Sequence, residues 1–407
     1  MAYTPVSESW RDGSRPDRGP LDGICVVSLE QALAAPLATR HLADLGARVI
    51  KVERRDSGDF ARHYDTAVHG LSSAFVWLNR SKESLSLDLK RPGAAGIIER
   101  LLGRADVIIQ NLGPGAAQRL SLDAATLAGR FPRLVVCTIT GYGPDGPYRD
   151  KKAYDMLVQA EAGLLTLTGT PEAKAKVGIS IADIAAGMYA FSSTLAALLH
   201  RATTGEARPV EISLFGALAE WMSYPLYFSM YGGAEPQRRG TRHATIAPYG
   251  AYTTSDQREI LVAVQNDREW HRFCRDFLGD PALEHDQRLG TNPARIAHSD
   301  LLDEIVARRF RQLTRDEALA ALDRAQIATA QISDMADLAG HPQLAERWRD
   351  VASPAGTLRA LVPPGLPAGV KPRMDPVPAL GEHTDAILGE LGYSPGQIAE
   401  LRLDQVV

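Results

Sequence analysis

Cysteine is scarce in this chain: Cys25, Cys137 and Cys274 are the three in 407 residues. An odd number at wide spacing excludes a disulfide framework and a paired-thiolate metal site, and fits a reducing, cytoplasmic compartment. His41, His69, His200, His271 and His383 show no metal-ligand spacing and read as surface or capping residues, so no metal is expected. Charge of one sign is not in excess either. A formal net charge of -4 gives no reason to expect nucleic acid or an anionic membrane as partner. The amino terminus has no basic stretch leading into an apolar core and a small-residue cleavage site, so no signal peptide is predicted. The most apolar run, Ile184 to Leu199, is shorter than the roughly 20 residues a bilayer requires and is predicted to be a buried helix. Internal repeats and low-complexity segments are lacking.

What is present suits a large enzyme of more than one domain: 45% of the residues are hydrophobic and 23% charged. The first third alternates strand and helix patterns. Ile24 to Leu29, Val49 to Val52, Leu85 to Leu89, Val107 to Ile109 and Leu134 to Ile139 are short apolar or β-branched runs. Between them lie helical stretches, Pro36 to Leu45 stopped by Gly46, and Ala94 to Leu102. Such alternation predicts an α/β fold with a doubly wound parallel sheet. The turn after the first strand, Glu30-Gln31-Ala32-Leu33-Ala34-Ala35-Pro36, lacks the glycines of a dinucleotide fingerprint, which argues against a nicotinamide cofactor.

Beyond Gly205 the composition shifts to tyrosine, methionine and glycine (Tyr224 to Gly233), then to a strand-like Glu259 to Val264 and a charged Asn266-Asp267-Arg268-Glu269-Trp270. Residues 1–205 are read as the first part of a large Rossmann-like domain, and 206–333 as a linker helix and a smaller α+β domain. Residues 334–407, with Pro363-Pro364, Pro367 and Pro372, return the chain to the large domain.

The chemistry centres on Val177-Gly178-Ile179-Ser180-Ile181-Ala182-Asp183, which sets one carboxylate directly before a long apolar run. No histidine, cysteine or serine-base partner stands beside Asp183. A carboxylate there either caps the following helix or attacks an activated acyl group as a nucleophile. Upstream lies Lys152-Ala153-Tyr154-Asp155. Asn111, before Gly113-Pro114-Gly115, ends a strand at a turn, and in a doubly wound sheet the same position faces ligand.

These segments, with Gly46 to Arg54, Asn79-Arg80-Ser81-Lys82-Glu83-Ser84, Leu87 to Lys90, Thr140-Gly141-Tyr142-Gly143, Thr204-Gly205 and Gly381-Glu382-His383-Thr384-Asp385, occur in the order seen in the class III coenzyme A transferases. The chain resembles that family, which includes formyl-CoA and carnitine CoA-transferases, over nearly its whole length. The resemblance implies a large domain built from both chain ends, an interlocked homodimer, and coenzyme A bound as acyl-CoA together with a small carboxylic acid. It implies Asp183 as the nucleophile, and Arg54, Lys82, Asn111, Leu112, Arg119, Lys152 and Tyr154 as coenzyme A contacts, with Tyr154 and Gly187 shaping the pocket. Each of those cations equally reads as a solvated charge. Arg239, Arg242 and His243 either meet the second carboxylate of a short dicarboxylic acid or form a basic loop facing solvent.

The α-methylacyl-CoA racemases share the fold and are the alternative. They use a His-Asp pair where this chain has Tyr154-Asp155, and a phenol is a poor base at neutral pH. Leu33 stands where formyl-CoA transferases carry glutamine, and no run of glycines lies near Arg239-Gly240-Thr241-Arg242-His243, which speaks against formyl or oxalyl groups; the overall resemblance implies a transferase for short dicarboxylates such as succinate, itaconate, mesaconate or citramalate.

Overall fold

A computed structural model describes residues 19–366 and 368–407, so the stretch read for a signal peptide, and Pro367, lie outside the described residues. Two compact units are present. The first takes in the chain up to Ala162, Gly178–Met222 and Ala345–Val407, and the second Gly163–Val177 and Ser223–Leu344.

In the first unit, β1 (Cys25–Leu29), α1 (Ala34–Asp44), β2 (Arg48–Glu53), β3 (Lys82–Ser86), α2 (Pro92–Leu102), β4 (Val107–Gln110) and β5 (Val135–Thr140) follow the predicted alternation. After α3 (Asp155–Glu161) and α4 (Ile181–Thr204), β6 (Val210–Ser213) completes a sheet of order β3-β2-β1-β4-β5-β6. Every pairing in it is parallel. Strand order therefore reverses between β1 and β4, and an open crevice is expected beyond their carboxyl ends.

Local chemistry accounts for the elements. Helix α2 starts on Pro92 and buries Ala94, Ile97, Ile98, Leu101 and Leu102, a stripe at helical spacing, against the sheet. The chain's end closes the same core, with Ile387, Leu388, Ile398 and Val406 packed beside Leu85 and Ile97. Strand β3 begins at Lys82 rather than Leu85, because Lys82 and Ser84 are buried polar residues with partners, Ser84 donating to Glu53 of β2 and Lys82 to Glu30 just past β1. Its pairing ends at Ser86 opposite Glu53 rather than at Leu89.

The apolar run from Ile184 belongs to a longer helix than expected. Helix α4 has 24 residues and is, by length and composition, long and apolar enough to cross a membrane. Its Ala182, Ala186, Ala190, Thr194 and Leu198 form a buried stripe, and it packs on α1 and β5. A Cβ built on Gly187 would lie 2.7 Å from the Ala34 carbonyl oxygen, so only glycine admits α1 this closely. Gly205, in the left-handed region at φ 81°, ends the helix.

The second unit has its own antiparallel sheet, in which β8 (Glu259–Ala263) lies between β7 (Tyr249–Thr253) and β9 (Ala328–Gln331). Trp270, Phe273, Phe277, Phe310 and Leu322 fill its core.

Candidate active site

The crevice at the strand-order reversal is a cleft of about 580 Å³ at the carboxyl ends of β1 to β4. Arg54, Leu112 and Arg119 all line it, together with Lys90. Arg54, Lys90 and Arg119 are exposed, and none of the three is in an ion pair among the described residues. Three unpaired cations over an apolar floor of Leu29, Val52 and Leu87 suit a ligand with phosphates and an apolar body. Lys90 was not expected here; a lysine one residue past an apolar run carries no signal until the sheet sets it beside Arg119.

Asn111 does not reach into the cleft with a free amide. Its Oδ1 accepts from the Gln31 N–H at 2.9 Å, and its Nδ2 donates to the Gln31 carbonyl at 2.8 Å. That clamp spans the strand-order reversal. The next residue, Ala32, sits in the left-handed region at φ 64° and donates its N–H to Asp59 Oδ1 at 3.0 Å. A non-glycine residue held there stores backbone strain against a fixed framework.

Lys82 is buried, with its ammonium inside the protein. Nζ donates to Glu30 Oε1 at 2.7 Å, the Pro36 carbonyl at 3.0 Å and Asn79 Oδ1 at 3.0 Å. Burial pushes it down to about 7 against the pull of Glu30. Lys51, also buried, donates to Asp59 Oδ2 at 2.8 Å and Glu30 Oε1 at 3.3 Å. Burial opposes its charge, yet Glu30 and Asp59 outweigh it and hold the ammonium above its usual range. Beneath the cleft therefore lies a layer of paired charges, its donors matched to acceptors.

Asp183 sits in the first turn of α4, half-buried, and its carboxyl makes no hydrogen bond with any described residue. The capping role falls to Asp155. Its Oδ1 accepts from the N–H groups of Ala182 at 2.8 Å and Asp183 at 3.2 Å, and its Oδ2 accepts from Gln159 at 2.6 Å. Burial, with the Asp155 charge added, raises the Asp183 carboxyl to about 7. Tyr154, immediately before α3, is 65% exposed, and Lys152 is exposed as well. A residue the sequence did not flag, Tyr64, lies close enough for the charges of Asp59 and Asp183 to add to burial in pushing its hydroxyl up to about 12. Gly187, one turn beyond Asp183, serves the contact with α1.

Arg239, Arg242 and His243 lie in the second unit. Arg242 Nε is 3.2 Å and Arg239 3.8 Å from Asp303 Oδ2, and the Tyr252 hydroxyl donates to Asp303 Oδ1 at 2.8 Å. His243 stacks on Tyr249 at 5.3 Å and accepts from the Thr245 N–H through Nδ1. Two guanidiniums thus share one carboxylate. Among the described residues no group of three or more His, Cys, Asp or Glu could hold a metal ion.

The parallel sheet with a cleft at its strand-order reversal makes this an α/β fold of the doubly wound kind, and Asp183, Lys152 and Tyr154 do not line that cleft. The profile of CoA-transferase family III matches residues 21–384, and the chain belongs to that family. It is a class III CoA-transferase and takes CoA thioesters as substrates. It is 33% identical to the succinate--glutarate CoA-transferase of Agrobacterium fabrum, over 91% of this chain and 96% of that one. To the human succinyl-CoA:glutarate CoA-transferase it is 30% identical, over 94% and 88%. A CAIB/BAIF family protein from Brucella suis has a similar solved structure, with TM-score 0.79 and 33% identity over 92% of this chain and 100% of that one.

Proposed function

We propose that this enzyme moves coenzyme A from a succinyl-CoA-type donor to a free carboxylic acid through covalent intermediates on Asp183. The observation that carries this is the state of the Asp183 carboxyl: partly desolvated, without a hydrogen bond among the described residues, and relieved of the capping duty by Asp155. A carboxylate in that state is more nucleophilic than a solvated one. Its oxygen attacks the donor thioester, forming a C–O bond and expelling coenzyme A thiolate. The thiolate then attacks the aspartyl carbonyl of the mixed anhydride, the donor acid leaves as carboxylate, and an aspartyl-CoA thioester remains. The acceptor carboxylate displaces the thiolate from this thioester, and thiolate attack on the acceptor's acyl carbon restores Asp183.

Short dicarboxylates fit the names of the relatives. Arg54, Lys90 and Arg119 are proposed to hold the phosphates of coenzyme A, with Leu112 beside its apolar parts. A homodimer belongs to the same proposal. Helix Ser223–Gly232 buries no residue, and leaves Tyr224, Tyr227, Met230 and Tyr231 exposed, as a helix awaiting a second chain would.

The test is intact-mass spectrometry after mixing with succinyl-CoA and hydroxylamine, beside Asp183→Ala. A hydroxamate or a coenzyme A adduct confined to the unsubstituted enzyme is expected. The absence of any adduct, combined with exchange of an α-proton of the acyl-CoA into deuterated solvent, would transfer Asp183 to the proton-shuttling role of a racemase, which a carboxyl near 7 also suits.

A further inference from the structure

The sheet carries a second cavity, at the opposite edge from the proposed coenzyme A cleft. It measures about 580 Å³ and lies at the amino ends of β1, β2 and β5, where Cys25, Arg48 and Leu134 line it. Its floor is apolar. Leu101, Leu102, Leu134, Ile387 and Leu391 are buried core residues, and Phe131 stands at the side.

Its rim is basic. Arg48, Arg104, Arg130, Arg133 and Arg201 all contribute, against the carboxylates of Asp106 and Glu390. Three of these arginines are spoken for. Arg48 is bound to Glu83 at 2.6 Å and Glu390 at 2.7 Å, Arg201 to Asp106 at 2.8 Å, and Arg130 to Glu99 at 2.8 Å. Arg104 and Arg133 are exposed and have no carboxylate partner among the described residues; each donates to a main-chain carbonyl, of Glu390 and Gly205 respectively. A main-chain oxygen satisfies one N–H of a five-donor guanidinium and leaves its charge unanswered.

We infer that this cavity binds an organic anion: a carboxylate or phosphate head held by Arg104 and Arg133, carried on an apolar body that lies against Leu101, Leu134 and Leu391. An apolar pocket with a few convergent polar groups is the usual form of a small-molecule site. Nothing in the proposed acyl transfer uses these residues, so occupancy here is separate from turnover chemistry. The thiol of Cys25 takes no part. Burial pushes it up to about 12, leaving it protonated and unreactive.

The test uses octanoate as probe and octanamide as its neutral counterpart, titrated calorimetrically into the full-length enzyme saturated with coenzyme A. Octanoate is expected to bind the saturated enzyme, and octanamide at least about tenfold more weakly, since a charge-assisted contact is lost. In Arg104→Ala/Arg133→Ala octanoate affinity is expected to fall by about tenfold or more, with coenzyme A affinity unchanged as the check on folding. Ala105→Phe, which narrows the cavity and leaves the charges in place, is expected to weaken both probes together. Octanoate binding that coenzyme A abolishes, that the double variant leaves intact, or that octanamide matches, would overturn the assignment.

Discussion

The backbone N–H of Asp183 donates to the carboxylate of Asp155 at 3.2 Å, across 28 positions of sequence. One carboxylate does the work of the cap and so leaves the other without a structural task. The same contact charges the surroundings of Asp183 and helps hold its proton. Asp155→Asn keeps an acceptor oxygen for the helix and removes the charge. The acidic limb of the kcat/KM profile is therefore expected to move to lower pH, and stability to fall only by the loss of the Gln159 contact, whose donor then faces the asparagine N–H₂. Asp155→Ala loses the cap as well and is expected to cost about 1–2 kcal/mol in urea denaturation.

The state of Asp183 sets the pH dependence. With its carboxyl near 7, the nucleophilic form gains through neutrality, and kcat/KM is expected to fall about tenfold per pH unit well below pH 7. Stability runs the other way. The folded chain keeps this proton up to about 7 while an unfolded aspartate releases it near 3.8, so between those values the folded state binds more protons and loses stability as pH rises. Asp183→Asn is expected to be inactive. It is also expected to be more stable than the unsubstituted enzyme by about 1–2 kcal/mol at pH 8, and equal to it at pH 4.

Arg54 and Arg119 line the cleft without ion-pair partners among the described residues, so removing either leaves no described carboxylate unpaired. Arg54→Ala and Arg119→Ala are each expected to raise KM for acyl-CoA by about 5- to 30-fold with kcat largely kept, the signature of binding shared by ground and transition states. The KM of the unsubstituted enzyme is expected to rise with salt more steeply than that of either variant.

How much of this was legible in the sequence depended on how local each cause is. Helix α2 and strands β1, β2, β4 and β5 follow from apolar spacing within a few residues, and the sequence shows them within one or two positions of their bounds. Strand β9, Ala-Thr-Ala-Gln, is exposed throughout and carries no apolar alternation, so only its pairing with β8 reveals it. The cleft residues Arg54, Leu112 and Arg119 were legible through family resemblance, and the sheet brings them together. The resemblance implies Lys82 as a coenzyme A contact, with a solvated charge as the other reading, and neither includes its burial, because that is decided by Glu30, 52 positions earlier, and only the fold puts the two side by side. Asp155 as the cap of α4 escaped notice for the same reason. Its partners are 27 and 28 positions away, beyond the reach of any helix-start signature.

Lys82 separates a structural cation from a ligand-binding one. Its ammonium has three acceptors and no surface, and Glu30 depends on it and on Lys51 for charge balance. At pH 6, below the value of about 7 to which burial lowers Lys82, Lys82→Met removes one of the two cations that Glu30 faces, and an uncompensated buried charge is expected to cost about 3–5 kcal/mol. Glu30→Gln/Lys82→Met removes both members of the pair while Lys51 keeps Asp59, so most of that loss is expected to return. Thermal and urea denaturation of the two variants and the unsubstituted enzyme, alongside coenzyme A affinity, decide the matter. A contact with coenzyme A would instead show as weakened affinity at unchanged stability, and the glutamine partner would not restore it.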